Sequence, residues 1–244
     1  MYNVFCIVTG ITMPVCIIKM LMRTDEMNNE VIMPFEVEKE YFVDPVEVKR
    51  KPVYSFFKRF FDIIVSVLAM IILALPMLIV GIVVKCTSKG PVIYKQERLG
   101  LNGKKIVVYK YRTMYIDAEK NGAQWSRGDV DERITPFGLK LRCTRVDELP
   151  QLWNILKGDL SLVGPRPERE CFYEEFEKYV HGFSERLKVK PGLTGLAQVN
   201  GGYTLKPEEK IVYDVEYIKN RGLWYDLKIV FKTVAVVFSH DGAK

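Results

Sequence analysis

The pattern of apolar and polar positions begins with one long feature, a stretch of 22 uncharged residues from Ile63 to Val84. At about 1.5 Å per residue, a helix of this length is roughly 33 Å long, enough to cross the hydrocarbon core of a bilayer. Pro76 lies inside the stretch, where it removes a backbone hydrogen bond and favours a kink. The pattern therefore predicts a membrane helix with a bend.

Basic residues flank this stretch on both sides. They are Lys49, Arg50, Lys51, Lys58 and Arg59 before it, and Lys85, Lys89, Lys95 and Arg98 after it. The positive-inside rule then favours both ends on the cytoplasmic face. A re-entrant helix that enters the membrane, bends at Pro76 and returns satisfies both the charges and the proline. An ordinary transmembrane helix with a tolerated proline is the alternative that these features leave open.

Beyond Gly90, the apolar positions follow strand spacing first and helical spacing later. Two strands, Val92 to Gln96 and Lys105 to Tyr111, are predicted to form a hairpin around a glycine-rich turn. Helical spacing then predicts helices at Asp147 to Leu156, Arg169 to Val180, Pro207 to Asn220 and Asp226 to Phe238. The predicted fold class is therefore α+β and helix-rich.

Changes in composition divide the chain into four segments. Residues 1–22 are mostly apolar with Lys19 as the only charge, and they form either a marginal membrane segment or a loosely packed extension. Residues 23–52 are predicted to be an acidic linker, because Thr24 to Val48 holds eight acidic residues and one lysine. Residues 53–89 hold the predicted membrane helix, and residues 90–244 the soluble-looking domain.

Composition narrows the function without choosing it. The net charge of +6 suits a nucleic acid, an anionic membrane surface or a phosphorylated substrate. The five cysteines form no C-x-x-C pair, so neither a zinc site nor a disulfide framework is indicated. Only two histidines are present, which argues against a Ser-His-Asp hydrolase.

Charged residues are densest between Arg142 and Pro167. The adjacent carboxylates Asp147 and Glu148 stand among several cations there, as a metal-assisted phosphoryl-transfer site requires. A carboxylate can also be the nucleophile of such a transfer, through an acyl-phosphate. The alternative for Asp147 is a helix N-cap, because Pro150 fits the first turn of a helix.

Other cations have structural alternatives of the same kind. Arg166 stands between two prolines, which restrict the backbone more than a solvated surface arginine needs. Lys110 and Arg112 alternate with tyrosines on the second predicted strand, and they belong either to a site or to a solvent-facing strand edge.

Five blocks of sequence resemble the bacterial sugar transferase family, the monotopic polyprenyl-phosphate phosphoglycosyl transferases. The resemblance runs from about Phe57 to the C-terminus. The blocks are KRFFD at 58–62, YKYRTM at 109–114, LR followed by DELPQLWN within 141–154, KGDLSLVGPRP at 157–167 and PGLTGLAQVNG at 191–201. One departure is Leu75 before Pro76, where the family often has a serine.

The resemblance implies an enzyme of the first membrane step of exopolysaccharide, capsule, O-antigen or glycoprotein glycan synthesis. Such enzymes transfer a sugar-1-phosphate from a UDP-sugar to undecaprenyl phosphate and release UMP, with Mg²⁺ and a covalent aspartyl-phosphosugar intermediate. The implied architecture is a re-entrant membrane helix packed with a small catalytic domain that contains the hairpin. It implies the bacterial cytoplasmic (inner) membrane, contact with membrane lipids and a catalytic domain facing the cytoplasm. A homodimer stays open.

The resemblance also assigns roles to residues. Asp147 is the expected nucleophile, Glu148 its partner, and both are expected metal ligands. The expected phosphate-binding residues are Lys110, Arg112, Arg142 and Arg166. The expected supporting residues are Asn154, Asp159, Pro165, Pro167 and Gln198, and Pro76 is the expected membrane kink.

Two other classes of function compete with this hypothesis. One is a catalytically inactive membrane scaffold for glycan enzymes, against which the intact Asp147 and Glu148 pair argues. The other is a membrane-anchored nucleic-acid binder. The cations cluster with carboxylates and no recognition motif is present, so no nucleic-acid partner is expected.

Overall fold

The computed structural model describes residues 5–8, 11–14, 39–120 and 131–239, and it is helix-rich with short strands, which confirms the predicted class. The helices are α1 (Pro52–Ile72), α2 (Ala74–Thr87), α3 (Pro136–Cys143), α4 (Gln151–Lys157), α5 (Glu170–Glu177), α6 (Leu196–Val199), α7 (Pro207–Asn220) and α8 (Leu223–Ser239). The strands are β1 (Phe5–Val8), β2 (Ile11–Pro14), β3 (Tyr41–Phe42), β4 (Ile93–Leu99), β5 (Lys105–Tyr111), β6 (Ser161–Val163), β7 (Val180–His181) and β8 (Gly192–Thr194).

The predicted hairpin is formed by β4 and β5, which pair antiparallel from Ile93 opposite Tyr111 to Leu99 opposite Lys105. Asn102 has a φ of 54° in the connecting turn, a left-handed conformation that asparagine tolerates better than most residues. Ile106 and Val108 are buried in one cluster with residues of α4. This packing fixes the strand that carries Lys110.

The uncharged stretch forms two helices, α1 and α2, which are bent by 65° at a break. The break lies at Leu73, and Pro76 is the third residue of α2. A proline ring clashes with the carbonyl four residues earlier, here that of Ile72, so the helix is interrupted before the proline. Among the described residues, no single helix is both long and apolar enough to cross a membrane, whereas this bent pair meets the criteria of length and composition jointly.

A hydrogen bond from the hairpin supports the bend. The Tyr111 hydroxyl donates to the Met77 carbonyl at 2.7 Å. Leu75, which precedes Pro76, has an apolar side chain and cannot donate such a bond.

The motif before the uncharged stretch attaches α1 to the rest of the protein. Arg59 donates to the Ile155 and Leu156 carbonyls at 2.6 and 2.7 Å, at the C-terminal end of α4, where a cation is favoured. Asp62 is buried and accepts hydrogen bonds from the Ser161 hydroxyl and the Leu162 amide. These bonds explain why charged residues stand on an otherwise apolar helix.

The end of the predicted linker is anchored along the domain surface. Strand β3 pairs in parallel with β7. Val46 is buried, its N–H donates to the Glu185 carboxylate, and its carbonyl accepts a hydrogen bond from Lys188. Alternating apolar residues among the acidic ones bury one side of this segment. Residues 15–38 of the predicted leader and linker lie outside the described residues, while β1 and β2 form an antiparallel pair.

The parallel strands β6 and β8 bring two glycine-containing turns into close contact. A Cβ atom built on Gly164 would lie 2.5 Å from the Lys190 carbonyl oxygen, and one on Gly192 would lie 2.1 Å from the Gly164 nitrogen. Only glycine allows backbones to approach so closely. The approach fixes the loop that carries Arg166.

Candidate active site

A short 3₁₀ helix, Val146–Glu148, carries the two adjacent carboxylates. Arg145 precedes it with a φ of 55°, an uncommon conformation for a long side chain and one that is concentrated at functional sites. Asp147 and Glu148 are each 5% exposed. The N-cap of α4 is Pro150, so the alternative of Asp147 as the N-cap is wrong.

Glu148 is held by two cations. Its Oε1 lies 2.7 Å from the Lys110 ammonium, and its Oε2 accepts a hydrogen bond from Arg166 Nη1 at 3.3 Å. Arg166 Nη2 also donates to Oε1. Burial alone would raise the pKa of Glu148, but Arg166 and Lys110 hold this pKa well below its usual range. Glu148 is therefore ionised at neutral pH, with both oxygens accepting hydrogen bonds.

Asp147 has a different electrostatic environment. Burial and then the neighbouring Glu148 charge raise the pKa of Asp147 to about 6, although Lys110, Arg142 and Arg166 act in the opposite direction. A carboxylate with a pKa near 6 is ionised at neutral pH and is poorly solvated. Such a perturbed carboxylate in a cavity is typical of catalytic groups.

Hydrogen bonds from two other arginines fix the backbone of the loop that carries Arg166. The Arg166 carbonyl accepts a hydrogen bond from Arg186 at 2.8 Å, and the Pro167 carbonyl accepts one from Arg98. Arg186 is almost fully buried and forms an ion pair with Asp214 at 2.8 Å. The guanidinium of Arg166 is thus directed at Glu148 by a loop whose backbone is fixed at two points.

A cavity of about 320 Å³ opens in front of Asp147. Several cations line it, and Lys110, Arg142, Arg145 and Arg166 are among them. Tyr94, Glu119, Arg169 and Phe172 line it as well. The volume suits a small molecule. The excess of cations over carboxylates around Asp147 favours a ligand that carries phosphate groups.

Two of the expected phosphate-binding cations differ in how they are held. Arg142 donates through Nε to the Thr113 hydroxyl at 2.9 Å and lines the cavity. Arg112 also lines the cavity, but it is buried and its terminal nitrogens donate to Ser88 and to the Pro91 carbonyl. These bonds connect β5 to the segment after α2, so Arg112 has a structural role in this geometry.

The expected supporting residues lie at different places. Asn154 is buried and bonds the Tyr109 amide and the Val107 carbonyl, which joins α4 to β5. Asp159 forms an ion pair with Lys157 at 3.0 Å and does not line the cavity. Gln198 lines the cavity, and its Oε1 is buried without a hydrogen-bond partner.

Sequence reasoning missed a second group of buried charges beside the cavity. Lys210 and Asp214 stand four residues apart on α7 and are both buried, and Glu168 lies 3.9 Å from the Lys210 ammonium. The sequence did hold a sign of this group, because Lys210 and Asp214 stand at helical spacing next to the apolar face of Ile211 and Ile218. Arg145 stood in the dense charged stretch, but nothing there indicated its conformation.

The expected metal ligands of this site are the adjacent carboxylates of Asp147 and Glu148. In residues 39–120 and 131–239, no group of three or more His, Cys, Asp or Glu side chains is arranged to hold a metal ion. Asp147 and Glu148 supply oxygen ligands of the kind that Mg²⁺ prefers, and Mg²⁺ commonly takes its other ligands from substrate phosphates and water. The residues present therefore fit a Mg²⁺ ion that is shared with a phosphorylated substrate.

The family model described as bacterial sugar transferase matches residues 53–240. The chain belongs to the bacterial sugar transferase family. It is 41% identical over 227 residues to the UDP-glucose:undecaprenyl-phosphate glucose-1-phosphate transferase of Klebsiella pneumoniae, which is 91% of this chain and 46% of that protein. It is 41% identical over 196 residues to the UDP-N-acetylgalactosamine-undecaprenyl-phosphate N-acetylgalactosaminephosphotransferase of Aeromonas hydrophila, 79% of this chain and 46% of that protein.

A third relative is closer to this bacterial sugar transferase in length. The UDP-glucose:undecaprenyl-phosphate glucose-1-phosphate transferase of Caulobacter vibrioides is 39% identical over 192 residues, 76% of this chain and 71% of that protein. The chain spans about half the length of the first two relatives. The family region, residues 53–240, holds the bent helix pair, both carboxylates and their cations, whereas β3 and the segment after it precede that region.

Proposed function

We propose that this protein transfers a sugar-1-phosphate from a UDP-sugar to undecaprenyl phosphate and releases UMP, as the first membrane step of a surface glycan. The observation that carries the proposal is the buried Asp147 carboxylate facing a cavity that is rich in cations, with Lys110, Arg142 and Arg166 among them. The names of the relatives from Klebsiella and Caulobacter, which act between UDP-glucose and undecaprenyl phosphate, support it.

The transfer would occur in two displacements at the phosphorus that bears the sugar. The Asp147 carboxylate attacks this phosphorus, the bond to the bridging oxygen breaks, and UMP leaves with that oxygen. An oxygen of undecaprenyl phosphate then attacks the same phosphorus, and the bond to Asp147 breaks. The products are the diphosphate-linked lipid sugar and the free carboxylate.

The cations would stabilise the charge on the phosphoryl oxygens during both displacements. Lys110 and Arg166 also neutralise Glu148, so the donor meets little repulsion from that carboxylate. Asp147 and Glu148, with the diphosphate of the donor, would hold Mg²⁺. The ion would supply further neutralisation of the diphosphate.

The first test measures UMP release with Mg²⁺, undecaprenyl phosphate and a panel of UDP-sugars, using the full chain in nanodiscs. We expect UMP from one or a few sugars and its loss in Asp147→Asn. Asp44→Asn is the matched control, because Asp44 is exposed and lies outside the cavity. If folded wild-type protein released no UMP from any sugar, the scaffold alternative would be favoured.

The covalent intermediate needs a separate test. Protein incubated with a sugar-labelled UDP-sugar and no acceptor should retain the label after denaturation, and undecaprenyl phosphate added before denaturation should remove it. Asp147→Asn should retain none. If UMP release required the acceptor and no label stayed on the protein, the transfer would be a direct one.

The bent helix pair is proposed to be the re-entrant anchor in the bacterial inner membrane, with the catalytic domain facing the cytoplasm. Large apolar side chains of α1 and α2 are exposed, including Ile72 and Leu75. A test labels single cysteines at Arg50 and Lys89, which flank the pair and are exposed, in a cysteine-free background. Labelling of both from the cytoplasmic side supports re-entry, and labelling from opposite sides indicates an ordinary crossing.

A further inference from the structure

A second cavity lies behind the carboxylates and differs from the first in chemistry. Its volume is about 740 Å³, and α1, α8 and the β6–β8 pair form its walls. The lining is mostly apolar, with Val65, Leu193, Leu227 and Val230 among its residues. It adjoins α1 and α8, whose large apolar side chains are exposed.

The two carboxylates lie at the boundary between the cavities. Asp147 lines the cationic cavity, and Glu148 lines the apolar one. Arg145 and Gln198 line both. Gln198 is 7% exposed, and its Oε1 is buried without a hydrogen-bond partner. A polar junction thus connects a site for phosphates to a site for hydrocarbon.

We propose that the apolar cavity binds the isoprene units nearest the phosphate of the polyprenyl phosphate acceptor, and that Arg145 receives the phosphate at the junction. This inference rests on the proposed function. An in-line second displacement requires the acceptor phosphate to occupy the place that the phosphate of UMP leaves, which is in the cationic cavity. The inference places the chain of the acceptor through the junction and into the apolar cavity.

The chemistry of the two cavities favours this occupant. A nucleotide sugar has no hydrocarbon to fill an apolar cavity, whereas a prenyl phosphate has one charged end and one apolar chain. The guanidinium of Arg145 matches the charged end, and the walls of α1 and α8 match the chain. The free energy of burying apolar surface is proportional to the area buried. The cavity would therefore contribute affinity for the prenyl chain without contacting the donor.

The kinetic test fills the apolar cavity from α8. Val230→Phe narrows it, and Leu227→Trp does so from a position that is 41% exposed and tolerates a larger side chain. We expect each to raise the KM for undecaprenyl phosphate about tenfold and to leave the KM for the UDP-sugar unchanged. The control is Val212→Phe, an exposed position on α7 outside both cavities. An unchanged acceptor KM, or an equal rise in both values, would overturn the inference.

A binding test separates this inference from the proposed function. Trp224 lines the apolar cavity and is 83% exposed, and it becomes the single tryptophan after Trp125→Phe and Trp153→Phe. Farnesyl phosphate should give a saturable change in fluorescence that Val230→Phe weakens, whereas inorganic phosphate and UMP should not. Saturable binding without UMP release would refute only the proposed function. UMP release without saturable binding would refute only the inference.

Discussion

Asp147 and Glu148 are adjacent and equally buried, but the pKa values of their carboxyl groups shift in opposite directions. The difference lies in the nearest cations. Lys110 and Arg166 hydrogen-bond Glu148 directly, while they and Arg142 act on Asp147 through charge without offsetting its burial. The two carboxylates are one residue apart on a 3₁₀ helix, and this difference in position is enough to give them different environments. Asp147 is suited to attack, and Glu148 is suited to hold the cations in place.

The largest effect is expected from removal of the carboxylate oxygen that is proposed to attack. Asp147→Asn should lower kcat for UMP release at least about 10³-fold, as loss of a nucleophile does in other enzymes. Glu148→Gln should lower it less, because Gln keeps one acceptor for the cations. UMP release is measured for both variants, and circular dichroism checks that each is folded. Higher activity in Asp147→Asn than in Glu148→Gln would reverse the two roles.

The next largest effect on activity is expected from a change in the hydrogen-bonding geometry at Arg166. Arg166→Lys keeps the charge but loses the fork of two donors on Glu148, and we expect kcat/KM for the UDP-sugar to fall about 10²-fold. Arg50→Lys, at an exposed position, is the matched control and should change nothing. Activity of Arg166→Lys within about twofold of wild type would show that charge alone suffices.

The pH profile reports the two environments directly. The proposed attack requires the ionised form of Asp147, whose pKa is raised to about 6. The value of kcat/KM should therefore fall about tenfold per pH unit below that pKa. In Glu148→Gln a negative neighbour is gone and its two cations are released. The midpoint should therefore move to lower pH, and a midpoint that stays or rises would contradict the assignment.

The smallest effect on activity is expected from a change at Arg112, whose hydrogen bonds connect two segments of the backbone. Arg112→Lys loses the bonds to Ser88 and Pro91, so the melting temperature should fall, while the KM for the UDP-sugar changes less than about threefold. Thermal unfolding and steady-state kinetics on the same sample separate the two. A KM rise as large as that of Arg166→Lys would return Arg112 to the phosphate site.

Local patterns predicted the hairpin and α7 well, since alternation, turn residues and a Pro-Glu-Glu start act over short distances. The interior of the site was harder to predict. A bend was predicted from Pro76, but its position at Leu73 was not. The hydrogen-bond partners of Arg112 depend on the path of the segment after α2. The left-handed Arg145 and the partners of Asp159 also depend on tertiary contacts. Periodicity could not provide these, whereas the resemblance provided the residues of the dyad but not their different environments.

Successive side chains of a strand point to opposite faces, and β5 uses this to contact two distant parts of the protein. Lys110 pairs with Glu148, and the next residue, Tyr111, bonds the Met77 carbonyl beside the bend of α1 and α2. One peptide unit thus joins the ion pair of the site to the angle of the proposed anchor. We therefore expect the thickness of the bilayer to affect the rate of catalysis. The rate of UMP release should differ between nanodiscs of short-chain and long-chain lipids.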